Sequence, residues 1–358
     1  MDIYPYTPDQ LPAVYERLLA DPAFQNVIHT IMPDTPFEQF ATLMRSCPDN
    51  LTFQQRCVSP FISKLLQTCA DGLTSDFCAI DFSRGYTFIT NHRNIVLDSA
   101  ILSYLLIQEN HDTVEIAIGD NLLIRPWIRD LVRINRSFIV QRSLTMREML
   151  LASKTMSEYI HHVITEKHSN VWIAQREGRA KDSNDLTQES VLKMLAMGGP
   201  TSDVIKNIRR LNIVPVAISY EYDPCDYLKA MEFQQKRDNP DYRKTPQDDL
   251  DNMRIGIFGK KGHIHYQAAP CINDWLDTLD PTMPRTDFFT CLAHHIDEEI
   301  HRSYRIYPIN EDALSSRANE YIETQLRKIT LPVPDIPFLR YTIQAMYANP
   351  LRNKNKTN

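Results

Sequence analysis

The sequence lacks several features that would point to common classes of protein. It has no run of about 18 apolar residues, the length that a helix needs to span a bilayer. It has no G-x-x-x-x-G-K-S/T motif, so nucleotide hydrolysis is not indicated. It has no basic excess, because 39 Lys and Arg stand against 45 Asp and Glu. Binding to nucleic acid requires a basic field, so we expect no nucleic-acid partner.

Cysteine usage and the first residues bear on the compartment. The 7 cysteines are odd in number, are spread along the chain and include no C-x-x-C pair. This usage favours a reducing compartment over a disulfide framework or a zinc knuckle. The first residues are acidic and contain proline, without a basic segment followed by an apolar one, so we expect no signal peptide. The sequence predicts a cytoplasmic protein.

Helical and strand patterns alternate in the middle of the chain. Residues 1–75 have apolar residues at three- and four-residue spacing, broken by prolines, which predicts a helical N-terminal region. Residues 76–275 alternate β-branched runs with helical stretches, which is typical of an α/β domain with a mostly parallel or mixed central sheet flanked by helices. The run around Gly85 predicts a strand hairpin that leads to His92. Residues 276–358 predict a helical C-terminal region with a polar tail.

Three charged or histidine-rich segments have structural interpretations. The charged run at 232–252 indicates a solvated insertion, and contact with a carrier protein or lipid headgroups is the alternative. His295 and Glu299 belong to half of a di-iron helix pattern whose second half is absent, so a charged helix face is expected. His263 and His265 alternate along a strand, where a polar strand face is favoured over a metal pair. We therefore expect no metal site.

The stretch "NHRNIVLD" places His92 beside Arg93, and Asp98 follows six positions after His92 at the start of an apolar run. Histidine can take a proton from a hydroxyl, and a carboxylate on its other ring nitrogen fixes its tautomer and orientation. Six positions along a helix turn by about 600°, so the two side chains would not share a helix face. They can meet only if His92 lies in a loop and Asp98 in the first helical turn. The alternative is that Asp98 only stabilises the helix start and His92 is an ordinary loop residue.

Four segments in order, between about 76 and 275, resemble the glycerol-phosphate acyltransferase family with its His-Asp dyad. "NHRNIVLD" resembles the first motif, with one residue more than the family has before Asp98. "SFIVQR" is similar to the strand that ends in a phosphate-binding arginine, and "WIAQREGRAKD" is similar to the Glu-Gly-basic motif, with one residue fewer between glycine and arginine. "NIVPVAISYE" is similar to the strand of the acyl pocket, and Glu221 and Tyr222 resemble the glycerol-3-phosphate branch.

The resemblance implies transfer of a fatty acyl group from acyl-CoA or an acyl carrier protein thioester to a hydroxyl of glycerol-3-phosphate or of a lysophospholipid such as lysophosphatidate. His92 would be the base and Asp98 would hold its imidazole, without a bound cofactor. The residues expected to bind substrate are Arg93, Arg142, Glu177, Gly178, Arg179 and Pro215. Arg176 and Lys181 could add to the phosphate site. An apolar groove near Pro215 and the methionine-bearing helices would take the acyl chain.

The predicted partners are a carrier-protein or coenzyme A thioester, a glycerophospholipid acceptor and a membrane surface. Contact with the inner face of the cell membrane would be peripheral, through the N-terminal helices and basic residues such as Arg45, Arg56 and Lys64. Two alternatives remain open. The acceptor could be an amino-acid-containing lipid, or the chain could be a non-catalytic lipid- or carrier-binding protein.

Overall fold

The computed structural model describes residues 3–123, 125–141, 144–315 and 319–357. Within these residues, one seven-stranded sheet has the order β1-β7-β6-β2-β5-β3-β4. Its strands are β1 (Gly72–Asp76), β2 (Thr87–Thr90), β3 (Val114–Gly119), β4 (Ser137–Val140), β5 (Asn170–Ala174), β6 (Ile213–Tyr220) and β7 (His263–Ala268). All neighbouring pairs are parallel except β6 and β7, which are antiparallel. The predicted α/β fold with a mostly parallel, mixed sheet is confirmed.

Helices precede, flank and follow this sheet. Those up to the middle of the sheet are α1 (Leu11–Leu19), α2 (Pro22–Ile31), α3 (Phe37–Arg45), α4 (Asn50–Phe53), α5 (Ser59–Cys69), α6 (Leu97–Gln108), α7 (Pro126–Ile134), α8 (Met146–Thr165) and α9 (Glu189–Leu195). The later ones are α10 (Val204–Arg209), α11 (Asp226–Asp238), α12 (Pro246–Phe258), α13 (Asn273–Leu276), α14 (Arg285–Arg302), α15 (Pro308–Leu314), α16 (Asn319–Leu326) and α17 (Ile336–Thr357). A π-helical turn at Gln54–Val58 joins α4 to α5.

Apolar side chains are buried on both faces of the sheet, because successive residues of a strand point to opposite sides. Ile89 and Ile173 belong to the core shared with α8, α9, α10 and α14. Phe88 and Val214 belong to the core shared with α5 and α6. Helices α1 to α3 share a third core with Ile134 of α7, and α11 shares a fourth with α15, α16 and α17.

The predicted hairpin around Gly85 is wrong. Strand β1 lies at the sheet edge beside β7, whereas β2 lies in the middle between β5 and β6. Position 85 lies so close to Ser169 that it has no room for a side chain: a Cβ on Gly85 would lie 2.4 Å from the carbonyl oxygen of Ser169. Local sequence could not reveal this, because the partners of β1 and β2 come much later in the chain. β1 also adds residues 72–75 to the sheet, ahead of the predicted α/β region.

Candidate active site

Strand β2 leads into a loop at the carboxyl edge of the parallel strands, where ligands of α/β sheets collect. His92 lies in this loop, and α6 begins at Leu97, so Asp98 falls in the first helical turn. Nδ1 of His92 lies 2.8 Å from Oδ2 of Asp98. The Asp98 side chain is fully buried, whereas the His92 side chain is 13% exposed. The loop brings the two side chains together across six positions.

Four donors converge on the Asp98 carboxylate. Besides His92, its Oδ2 accepts the backbone N–H of Arg93 at 2.6 Å and of Asn94 at 3.0 Å. Its Oδ1 accepts the buried hydroxyl of Tyr220 at 3.1 Å. With the N–H of Nδ1 donated to this carboxylate, Nε2 of His92 carries the lone pair. Nε2 is therefore the atom that can accept a proton.

Asn94 closes a turn immediately before α6. Its Oδ1 accepts the backbone N–H of Val96 and of Leu97, each at 3.0 Å, which satisfies donors that the helix leaves unpaired. This turn occupies the stretch between His92 and Asp98, where the sequence is one residue longer than the motif it resembles. The extra residue is thus accommodated in the loop, before the helix begins.

Trp172 of β5 contacts the His92 ring edge-on, with ring centroids 5.7 Å apart and planes at 68°. Its Nε1 donates to Oγ1 of Thr90 at 3.1 Å, which fixes the indole beside the loop. Sequence reasoning missed Trp172, although its position near the end of a buried strand that precedes the "REGR" motif was a usable signal. It also missed Tyr220, whose hydroxyl reaches Asp98 from β6.

Arg93, one of the residues expected to bind substrate, is engaged by another part of the chain. The guanidinium is buried, and its Nη2 lies 2.6 Å from Oδ2 of Asp185. Asp185 also accepts the hydroxyl of Tyr304 and, on its backbone carbonyl, Nε2 of His301 at 2.7 Å. Arg93 therefore ties the dyad loop to α14 and the segment after it. The sequence could not show this because Asp185 lies far along the chain.

Replacing Arg93 with methionine should lower the free energy of unfolding by about 3–5 kcal/mol, because Asp185 would stay buried without its ion-pair partner. Urea denaturation measures this change. The matched control is Arg45→Met, which removes a guanidinium from an exposed pair with Glu16 and should change stability little. Equal effects of the two substitutions would contradict the structural role of Arg93.

The Glu-Gly-basic segment follows β5 at the same sheet edge. Glu177 is exposed, and its backbone N–H donates to Oε1 of Gln188 at 2.7 Å. Gly178 has φ +69°, a left-handed conformation that glycine adopts without strain. Nη2 of Arg179 lies 3.4 Å from Oδ1 of Asn252. The segment thus forms a tight turn that brings Arg179 to α12.

Three further residues were expected at the substrate site: Arg142, Pro215 and Lys181. Arg142 lies outside the described residues. Pro215 is buried inside β6, opposite Ile89 of β2. Lys181 pairs with Glu232, and burial lowers the pKa of its ammonium to about 8. The Lys181 ammonium therefore already has a carboxylate partner in this structure.

A cavity of about 590 Å³ lies beyond the ends of β3, β4 and β5, under α8 and α9. Its apolar lining includes Val140, Met149, Met156, Ile173 and Met194. Arg176 and Glu177 contribute charge to its wall. Among the described residues that line this cavity, Pro215 does not occur. The apolar space therefore lies along the methionine-bearing helices rather than beside the Val-Pro-Val strand.

His263, His265 and His295 have local partners. Nδ1 of His263 lies 2.7 Å from Oε2 of Glu221, and Nδ1 of His265 lies 2.8 Å from Oγ1 of Thr74. His295 stacks on Trp275, with ring centroids 4.0 Å apart. No cluster of three or more potential metal ligands occurs in the part of the chain that the structure describes.

Replacing Tyr220 with phenylalanine should lower kcat by about threefold to tenfold, because Asp98 would lose one of its buried hydrogen bonds and hold His92 less firmly. The KM of the substrates should change less than kcat. Steady-state kinetics measure both. The matched control is Tyr341→Phe, which removes a hydroxyl from an exposed side chain on α17. A fall in activity equal to that of the control would exclude a positioning role for Tyr220.

Part of the chain is similar to a known protein family. Residues 78–219 match the family model described as "Acyltransferase". This segment matches the acyltransferase family. It is less than half of the chain, and it includes the dyad loop, the "REGR" turn and most of β6. The match supports an enzyme of acyl transfer and leaves donor and acceptor open.

Among solved structures, the chain is similar to the 1-acyl-sn-glycerophosphate (LPA) acyltransferase, PlsC, from Thermotoga maritima. The identity is 10% and the TM-score is 0.37, with 82% of this chain and 97% of that chain covered. Among curated proteins, none matches this sequence.

Proposed function

We propose that the protein transfers a fatty acyl group from an acyl thioester to a hydroxyl of glycerol-3-phosphate or of a lysophospholipid such as lysophosphatidate. The observation that carries this proposal is the 2.8 Å contact between His92 and Asp98, at the carboxyl edge of the sheet and inside the segment that matches the acyltransferase family. Acyl-CoA and an acyl carrier protein thioester are both suitable donors, because each carries the activated acyl group.

The proposed reaction uses the imidazole twice. Nε2 of His92 takes the proton of the acceptor hydroxyl while its oxygen attacks the thioester carbonyl carbon. The buried Asp98 carboxylate stabilises the imidazolium that forms. The tetrahedral intermediate then collapses, the carbon–sulfur bond breaks, and the thiol leaves with the proton from His92. The products are an ester and a free thiol, and no acyl-enzyme is needed.

Two arginines support a phosphorylated acceptor. Arg176 lies in the cavity wall, and its Nε is buried without a hydrogen-bond partner among the described residues. Arg179 lies on the turn that follows. Guanidinium groups bind phosphate oxygens through paired donors, so these two side chains would suit an anionic headgroup. Arg142 is proposed as a third phosphate ligand from the resemblance alone.

The cavity along α8 and α9 is the proposed site of the acyl chain. Its volume of about 590 Å³ is within the usual range for small-ligand sites, and methionine lines it on several sides. Methionine side chains are flexible enough to adapt to chains of different length. The proposed site of the acyl chain is therefore this cavity and not the groove near Pro215.

The proposed site of action is the inner face of the cell membrane, reached from the cytoplasm. Over the described residues, the helices are too short or too polar to cross a bilayer. Four apolar side chains at the start of α8 are exposed beside the cavity: Met146, Met149, Leu150 and Leu151. They support membrane contact here. Liposome flotation tests it, and protein that stays at the bottom of the gradient with anionic vesicles would contradict it.

The function is tested with purified protein, acyl-CoA and acyl carrier protein donors, and a panel of acceptors. The panel contains glycerol-3-phosphate, lysophosphatidate and a lyso form of an amino-acid-containing lipid. Release of free thiol and formation of labelled lipid are measured together, with Asp98→Asn as the inactive reference. Preference for a phosphorylated acceptor supports the proposal. Preference for the aminolipid would show that the acceptor is an amino-acid-containing lipid instead. The absence of transfer to any acceptor would favour a non-catalytic lipid- or carrier-binding protein.

A further inference from the structure

Helix α12 lies beyond the segment that matches the acyltransferase family, yet it contacts the dyad loop. The charge of this region predicts a solvated insertion, but Gly256 and Asn252 of α12 are buried. Nδ2 of Asn94 donates to the carbonyl oxygen of Gly256 at 2.7 Å. The side chain of Asn94 closes the turn before α6, and its backbone N–H donates to Asp98.

The contact leaves little room for a side chain at position 256. A Cβ at position 256 would lie 2.8 Å from Nδ2 of Asn94, a distance at which one of the two must move. Its next neighbours, at 3.5 and 3.6 Å, are also atoms of the Asn94 side chain. Because glycine in a helix interior is less favourable than alanine, a glycine at this position has a local cost. The close approach of Asn94 explains it.

The same helix also holds an arginine of the proposed acceptor site. Asn252 lies four positions before Gly256, so both residues lie on one face of α12. Oδ1 of Asn252 lies 3.4 Å from Nη2 of Arg179, and its Nδ2 donates to the carbonyl oxygen of Asp248 at 2.8 Å. The second bond orients the amide so that its oxygen faces Arg179.

We propose that α12 positions the dyad loop and Arg179 relative to each other, through Gly256 and Asn252. This inference rests on the proposed acyl transfer and adds a positioning element outside the matched segment. Asn94 transmits the position of α12 to His92 and Asp98, and Asn252 transmits it to the acceptor's anionic group. The alignment of the base with the attacking hydroxyl therefore depends on the first contact, and the binding of the acceptor's anionic group depends on the second.

A double-mutant cycle tests the first contact. Gly256→Ala should lower kcat by about 10- to 100-fold, because displacement of the loop misaligns His92. Asn94→Ala should lower kcat as well. The Asn94→Ala protein lacks the three atoms nearest to the added methyl group, so Gly256→Ala should then cost less than about twofold. Equal effects of Gly256→Ala in the two backgrounds would overturn the proposal.

Asn252→Ala tests the second contact with a different readout. It should raise the KM for the phosphorylated acceptor by about fivefold or more with little change in kcat, because Arg179 loses a partner that orients it. An unchanged KM would overturn the link to Arg179. The control is Gln247→Ala, an exposed position on α12 that should leave both constants unchanged.

Different results would refute the proposed function and the proposed role of α12. A wild-type protein without transfer to any acceptor would refute the proposed function. An active wild-type protein that tolerates Gly256→Ala would refute only the role of α12. The free energy of unfolding, measured for every variant, separates a folding defect from misalignment: misalignment lowers kcat in a protein that is still folded at the assay temperature.

Discussion

The His92→Ala protein should lose acyl transfer by a factor of about 10²–10⁴, with little change in the KM of the acyl donor. The substitution removes the atom that accepts the hydroxyl proton, and nothing else in the loop supplies a base at the same position. The reduction should appear in kcat, because proton transfer occurs only after the substrates are bound. Thiol release and lipid product should fall together, since one transfer produces both.

The chain provides a matched control for this experiment. His162 on α8 also lies beside a carboxylate, with Nδ1 at 3.0 Å from Oε2 of Glu166. This pair is exposed and lies near the amino ends of β3 and β4, away from the dyad loop. His162→Ala should leave activity unchanged.

Full activity of the His92→Ala protein would contradict the proposed mechanism. The next pair to examine would then be His263 and Glu221, in contact at 2.7 Å where β6 ends and β7 begins. The His263 side chain is more than half exposed, whereas that of Glu221 is largely buried. Substitution of His263 would decide whether this second pair supplies the base.

The Asp98→Asn protein should lose activity by about 10²–10⁴-fold while its free energy of unfolding changes much less than that of an Arg93→Met protein. The amide oxygen can take the position of Oδ2 and accept the N–H groups of His92, Arg93 and Asn94. The amide nitrogen then faces the Tyr220 hydroxyl, which can rotate to accept. The geometry is retained, but the negative charge that stabilises the imidazolium is lost.

Steady-state kinetics and urea denaturation of the same preparation measure the two quantities. Glu166→Gln makes the corresponding change in the exposed pair and should affect neither. An Asp98→Asn protein with wild-type kcat would show that the carboxylate charge is not used in the reaction. In that case the contact with His92 would be only a structural feature of the start of α6.

Much of the fold follows from local sequence. Helix α8 is predicted from its apolar spacing, and its capping box between Thr145 and Glu148 is present. β6 is predicted from the β-branched run around Pro215 and is found at Ile213–Tyr220. Such features depend on residues a few positions apart, so periodicity and capping are sufficient to locate them. The hairpin at Gly85 fails for the opposite reason, because strand pairing joins residues far apart in the chain.

For the candidate site, the sequence by itself determined that His92 follows a strand, that Asp98 opens a helix, and that they could meet only through a loop. Only the tertiary structure showed that the two side chains do meet, at 2.8 Å. It also showed that Arg93 forms a buried ion pair with Asp185 and that α12 contacts Asn94. The physical reason is the distance along the chain over which each interaction acts. Backbone preferences act between near neighbours in the chain, whereas the burial of a charge or the need for a glycine depends on partners from distant segments.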